Sequence, residues 1–177
     1  MARMIEPRAE TGVVAAISIS ERKGTPKTNV PAAVLTPNWG IQGDAHAGNG
    51  HRQVSLLAVE SIEKMRAKGL NVGPGAFAEN VTTAFVDIPH LAAGDRVRIG
   101  GAELEITQIG KECHTRCAIY QAAGDCVMPR EGVFGRVVIG GTIHVGEPVR
   151  VIHKTGIDGQ DPEGVGGRCP TRAGGQP

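Results

Sequence analysis

Short β-branched runs broken by glycine pairs constrain this chain most. RVRIGGAELEITQIG and, further on, GVFGRVVIGGTIHVGEPVRVI both read as strand, Gly-Gly, strand. A glycine pair supplies the positive φ angles of a two-residue turn, so the first segment predicts a hairpin around Gly100 and Gly101. Gly132 to Ile139 and Thr142 to Ile152, around Gly140 and Gly141, repeat the pattern. Upstream, Gly12 to Ser20 is a further strand, and Val30 to Leu35 a shorter one stopped by Thr36, Pro37 and Asn38. With 26 glycines and 11 prolines, the chain carries turns enough to join many short strands. No repeat of solenoid length is present, and the strand spacing fits a barrel or sandwich better than alternating βαβ units. The expected fold is mainly β, its loops carrying the chemistry.

One helix is expected, over Val54 to Lys68. It would place Leu57, Ile62 and Met65 near one face, with Ser55 as N-cap and Gly69 as the stop. At 177 residues and 40% hydrophobic content the chain suits a single core. Residues 1–11 read as a flexible N-terminus, 12–153 as the folded β domain, and 154–177, with almost no large apolar residue, as a flexible Gly/Pro-rich tail. A net charge of +1 gives no field to attract nucleic acid or an anionic membrane. No apolar run approaches the roughly 18 residues of a membrane span, and Arg3, Glu6, Arg8 and Glu10 stand where a signal peptide needs an apolar centre. The expectation is a cytoplasmic protein.

Three of the four cysteines fall together in KECHTRCAIYQAAGDC, just after the strand ending at Ile109. Such clustering in a reducing compartment points to metal or thiol chemistry through Cys113, Cys117 and Cys126 rather than to disulfides. Thiolate is the soft ligand that molybdenum, tungsten, iron–sulfur clusters and zinc accept. Lys111, His114, Arg116 and Arg130 are cations that would raise the thiolate fraction. The plainer alternative is that one or two of these cysteines pack as small apolar residues. A second constellation, GIQGDAHAGNGHRQVSLL, sets Asp44, His46, His51 and Arg52 among glycines that let backbone approach a ligand. A solvated loop with Asp44 capping a turn is the equal alternative. In a third, GAFAENVTT, Glu79, Asn80, Thr82 and Thr83 fit a capped loop end slightly better than a site. His90, His144 and His153 take no role, Trp39 and Tyr120 read as core or loop anchors, and Cys169 is an exposed thiol in the tail.

In this order, GIQGDAHAG, HRQVSLLAVESI, GAFAENVTT, LAAGDRVRIGGAELEITQIGKECHTRCAIY and GVFGRVVIGGTIHVGEPVRV resemble the MOSC superfamily, named for the C-terminal domain of molybdenum cofactor sulfurase. The resemblance spans about residues 12 to 152. It implies a β-barrel with short helices and a cysteine, after the TQ-containing strand, that binds the cofactor metal or carries sulfur. By position Arg116 and Cys117 are similar to the Arg-Cys pair of the amidoxime-reducing molybdenum enzymes, where that cysteine is the metal ligand. The chain departs from those enzymes in lacking their additional N-terminal β-barrel domain, and in having Cys113 and Cys126 beside Cys117.

Two uses of the cysteines follow from the resemblance. Cys117 takes sulfur as a persulfide and passes it to a molybdenum or tungsten pterin, with Cys113 or Cys126 resolving the persulfide. Alternatively, the three thiolates hold an iron–sulfur cluster or zinc. The expected function is therefore a molybdenum- or tungsten-pterin-linked sulfur carrier or sulfurtransferase, independent of pyridoxal phosphate. An iron–sulfur enzyme and a non-catalytic cofactor-delivery module are the alternatives. His46, Arg52, Lys111, His114 and Arg116 are the expected cofactor-binding residues, with the cations holding the pterin phosphate. The implied partners are the molybdenum cofactor or a molybdoenzyme, and a separate sulfur donor such as a cysteine desulfurase.

Overall fold

The computed structural model describes residues 9–23, 25–111 and 118–154. The expected flexible ends fall largely on 1–8 and 155–177, outside the described residues. In chain order the strands are β1 (Thr11–Ile19), β2 (Thr28–Val30), β3 (Ala32–Thr36), β4 (Gly40–Ile41), β5 (Val54–Ala58), β6 (Val81–Ala84), β7 (Arg96–Ile99), β8 (Ala102–Ile109), β9 (Val133–Ile139), β10 (Gly141–His144) and β11 (Pro148–Ile152). The helices are α1 (Val59–Arg66), between β5 and β6, and α2 (Ala118–Ala123) and α3 (Met128–Glu131), between β8 and β9.

Seven strands close into a barrel in the order β11-β7-β8-β9-β5-β6-β1, and β11 pairs back onto β1. Closure removes the open sheet edges. β1 does the most pairing. Thr11 to Val13 run antiparallel to β11, Val13 to Ile17 to β6, and Ile17 to Ile19 to β2. A bulge between Val14 and Ala16 lets one strand turn between these partners. β3, β4 and β10 form a separate three-stranded sheet.

Side-chain alternation sorts the apolar residues into two cores. Inward residues such as Ile17, Leu56, Val81, Ile99, Leu104, Val133 and Val149 fill the barrel and are essentially buried. Their neighbours in sequence, Leu57 and Phe134, point the other way. There they meet Ile62, Met65, Phe77, Cys126, Val127 and Met128 in a second cluster under the helices. A strand buried on both faces shows no alternation of polarity, which is why β5 reads VSLLA.

That property corrects the helix expected over Val54 to Lys68. Its first five residues are β5, which lies parallel to β6 and antiparallel to β9, and the helix begins only at Val59. Ser55 is a strand residue, and the N-cap position is Ala58, without a side-chain cap. Periodicity alone cannot separate a short buried strand from the start of a helix. The hairpin around Gly100 and Gly101 is present, with Ile99 opposite Ala102. The second glycine pair does not make one. β9 pairs with β8 and β5, whereas β10 leaves the barrel to pair with β3. Gly140 stands at that exit because a Cβ there would sit 2.7 Å from the Leu35 carbonyl oxygen and from Pro37 Cδ. The strand expected over Val30 to Leu35 is divided between β2 and β3 by Pro31, and Trp39, 47% exposed, is not a core residue.

Truncating Leu104, fully buried in the barrel, to alanine is expected to cost about 3 kcal/mol of unfolding free energy. Val34→Ala, on the outer face of the small sheet, should cost under about 0.5 kcal/mol. Urea denaturation followed by circular dichroism checks both; equal losses would mean that the barrel interior is not the stabilising core.

Candidate functional site

β8 leads the chain to the site. After Ile109 the backbone turns at Gly110, whose φ is +71° and whose Cβ, were there one, would lie 2.2 Å from the Pro129 carbonyl oxygen. Only glycine fits that approach. The Gly110 N–H donates to the Gly132 carbonyl (2.6 Å) and the Lys111 N–H to the Met128 carbonyl (3.3 Å), which seats the end of β8 against α3.

Beside this exit, on the helix side of the barrel wall, opens a cavity of about 620 Å³. Its apolar wall comes from the second cluster, including Phe77, Ile119, Met128 and Phe134, and its polar rim from the glycine-rich loop between β4 and β5. Lys23, His46, His51, Arg52 and Lys111 all line it, and no Asp or Glu appears among its described lining residues. The Arg52 guanidinium lies 5.9 Å above the Phe134 ring, within cation–π range. His51 Nε2 is 3.1 Å from Gln108 Oε1, and Thr107 Oγ1 donates to the His51 carbonyl at 2.5 Å. The TQ pair at the end of β8 thus ties the histidine loop to the strand that delivers the cysteine segment.

Of the expected site residues, the structure brings His46, Arg52, Lys111 and Cys126 into this one cavity. Cys113, His114, Arg116 and Cys117 lie outside the described residues, as does Cys169. Cys126 is buried (6% exposed), and its backbone N–H donates to Asp125 Oδ1. The Arg130 guanidinium forks onto the Asp125 carboxylate at 3.0 Å on both arms, and Lys68 reaches the same group, so that carboxyl is held below its usual range. Elsewhere His90 and His144 contact the partly exposed carboxylates of Asp87 and Glu147, and His153 contacts that of buried Asp95.

Asp44 is buried beneath the rim. Burial pushes its carboxyl upward, but the contacts with His46 and Lys27 and the backbone N–H groups of Ser20 and His46 outweigh this and hold it well below the ordinary value. Its partner Lys27 is wholly buried too. The polar stretch ERKGTPKTN signals only a turn, and nothing in it marks this lysine as internal. The third constellation is built into the wall. Glu79 accepts the N–H groups of Gly75 (2.6 Å) and Phe77 (3.1 Å) and the Thr82 hydroxyl, while burial pushes its carboxyl up. Asn80 Oδ1 accepts the Ser55 N–H and hydroxyl, and its Nδ2 donates to the Ser18 carbonyl. Ser55 and Asn80 both line the cavity, and Ser55 becomes legible only once β5 is seen as a strand.

A closed seven-stranded barrel with a basic cavity beside the strand that precedes the cysteines defines the type of domain. The MOSC domain family model matches residues 42–150, more than half of the chain. The chain belongs to the MOSC domain family, whose members are associated in general with the molybdenum cofactor. No curated protein matches it. Among solved structures it resembles the YuaD protein of Bacillus subtilis (TM-score 0.71, 17% identity, covering 82% of this chain and 97% of that one). It also resembles YiiM of Geobacillus stearothermophilus (TM-score 0.59, 18% identity, 83% and 77% covered) and YiiM of Escherichia coli (TM-score 0.55, 20% identity, 84% and 71% covered). At these identities the likeness is one of fold. Among the described residues no helix is long and apolar enough to cross a membrane.

Because the folded Asp44 carboxyl binds its proton more weakly than in the unfolded chain, its stabilisation is complete above the ordinary value of 3.8 and fades as pH falls through the lower folded value. Asp44→Asn, which leaves Lys27 buried without its counter-charge, should cost about 3 kcal/mol at pH 7. The gap between wild type and variant should narrow below pH 3.8. Denaturant midpoints measured from pH 7 to pH 2.5 check this, and a pH-independent gap would contradict it.

Proposed function

We propose that this protein is a molybdenum- or tungsten-pterin-linked sulfur carrier or sulfurtransferase, with Cys117 as its central thiolate and Cys113 and Cys126 as partner thiols. The observation that carries the reading is the cavity: five basic side chains, no described carboxylate, an aromatic and aliphatic wall, and Cys126 in that wall. Such a donor set fits a flat heterocycle bearing an anionic phosphate and a soft metal. Arg52, Lys111 and His46 would hold the phosphate, with His114 and Arg116 added by the family pattern. Phe77 and Phe134 would flank the ring. Cys117 is joined by one peptide bond to Ala118, which lines the cavity. A bound molybdenum or tungsten centre would supply a soft site that accepts thiolate or sulfide.

The thiol steps balance within one turnover, and an external dithiol reduces the protein disulfide that ends it. The Cys117 thiolate attacks the outer sulfur of a donor persulfide, such as one carried by a cysteine desulfurase; a new S–S bond forms on Cys117 and the donor leaves as its thiolate. The Cys113 or Cys126 thiolate then attacks the Cys117 inner sulfur. This forms a protein disulfide and releases hydrosulfide, the two thiols supplying the electrons that reduce the transferred sulfur. Lys111, His114 and Arg116 flank Cys113 and Cys117 in sequence, and cations near a thiol raise its thiolate fraction.

Anaerobic purification with metal, labile-sulfide, pterin and persulfide analysis, on wild type and on Cys113→Ser, Cys117→Ser and Cys126→Ser, tests the reading. A persulfide or a pterin-bound metal lost chiefly in Cys117→Ser is expected. Iron with labile sulfide, lost in all three variants, would overturn it in favour of an iron–sulfur enzyme. Tight pterin binding with no sulfur transferred from a persulfide donor would leave a delivery module instead.

Arg52→Ala and Lys111→Ala should each weaken pterin retention roughly tenfold, the size of one lost charge-assisted hydrogen bond. Equilibrium dialysis measures it, and retention equal to wild type in both would remove these two residues from the phosphate site.

A further inference from the structure

Buried lysines are uncommon, and a buried lysine–carboxylate pair seldom stabilises a fold more than apolar residues of the same volume would. Lys27 and Asp44 form such a pair, both side chains 0% exposed. It does not sit in either apolar core. It lies directly under a residue of the cavity rim. Asp44 Oδ1 accepts the Ser20 N–H (3.0 Å) and the Lys27 ammonium. Asp44 Oδ2 accepts the backbone N–H of His46 (3.0 Å) and stands 3.4 Å from its Nδ1. Lys27 Nζ is also 3.4 Å from that Nδ1. Both members of the pair therefore face one nitrogen of one imidazole, whose ring is 35% exposed and lines the cavity. An imidazole has two ring nitrogens, and a partner on one fixes the tautomer and orientation of the other.

We propose that Lys27 and Asp44 are positioning residues for the His46 ring: the Lys27 ammonium, held by Asp44, donates to Nδ1, which leaves the ring proton on Nε2, facing the cavity as a hydrogen-bond donor to the anionic group bound there. The donor role rests on the anion-binding reading above. The positioning does not, because the contacts are made within the protein itself. Asp44 also joins the end of β1, the approach to β2 and the glycine-rich loop, so the ring is fixed to three segments instead of riding on a loop alone. His46 is thereby anchored from behind by a buried ion pair. A ligand that meets a ring already ordered loses less rotamer freedom on binding.

Long-range proton–nitrogen correlation spectra of the histidine rings, recorded at pH 7.5 during titration with inorganic phosphate, test this on wild type, His46→Gln, Asp44→Asn and Lys27→Gln. In wild type, His46 should be dominantly the Nε2–H tautomer, a dominant Nδ1–H tautomer overturning the donor role, and phosphate should move its Nε2 signal together with the side-chain signals of Arg52 and Lys111. His46→Gln should weaken phosphate binding roughly tenfold. Asp44→Asn and Lys27→Gln should weaken it similarly while the His46 signals take on the averaged tautomers of a free ring. Should either variant fail to fold, the wild-type spectra and His46→Gln decide alone. Averaged tautomers for His46 in wild type would overturn the positioning role. An Nε2 signal unmoved by phosphate while Arg52 and Lys111 respond would overturn the donor role. Silence from every cavity cation would instead sink the anion-site reading itself, and the donor role with it.

Discussion

The pairing of β11 with β1 is the contact on which everything else depends. Without it the sheet would end in two open edges, and the inward faces of β5, β6, β8 and β9 would have no opposing strands to pack against. Closure needs one strand to serve three partners, and the bulge at Val14 to Ala16 makes that possible by turning β1 partway along its length. Once the barrel is shut, its wall has a dry inner face and an outer face that is free to build something else. Leu56 and Leu57, adjacent in sequence, belong to those two different tasks.

The site inherits its rigidity from that wall. The apolar side of the cavity is the outer face of β5 and β9 with the helices laid over it, so Phe134 and Phe77 are held by a packed cluster. The polar side is more elaborate. Three buried acceptors collect backbone N–H groups: Asp44 and Glu79 take theirs from loops, and Asn80 takes that of Ser55 in β5. Each of the three carries cavity-lining residues with it. The result is a basic surface supported from behind by buried acceptors whose charge or polarity is spent inside the protein.

How much of this the sequence discloses depends on whether a signal is local. The hairpin at Gly100 and Gly101, the strand from Gly12 and the overall β character are set by turn chemistry and branching, and they are legible. β5 is not, because a strand buried on both faces has no polar alternation to show. The second glycine pair misleads for a related reason. Gly140 is required by the nearness of Leu35 and Pro37, which are remote in sequence, and not by a turn. His46, Arg52, Lys111 and Cys126, expected from residue chemistry and the family resemblance, line one cavity. Lys27 escapes notice because its burial is created by Asp44 across the fold, and a lysine in a polar turn gives no hint of it.

The way β8 ends has a consequence for how such a protein can diversify. Gly110 and Lys111 are fastened to Gly132 and Met128 on one side of the cysteine-bearing segment, and Ala118 begins α2 on the other. Positions 112–117 fall in sequence between these two ends. Lengthening such a connection costs little, since doubling a loop adds only about 0.6 kcal/mol of closure entropy. A scaffold of this kind can carry different sequences between those two ends while the basic cavity beside them keeps its walls.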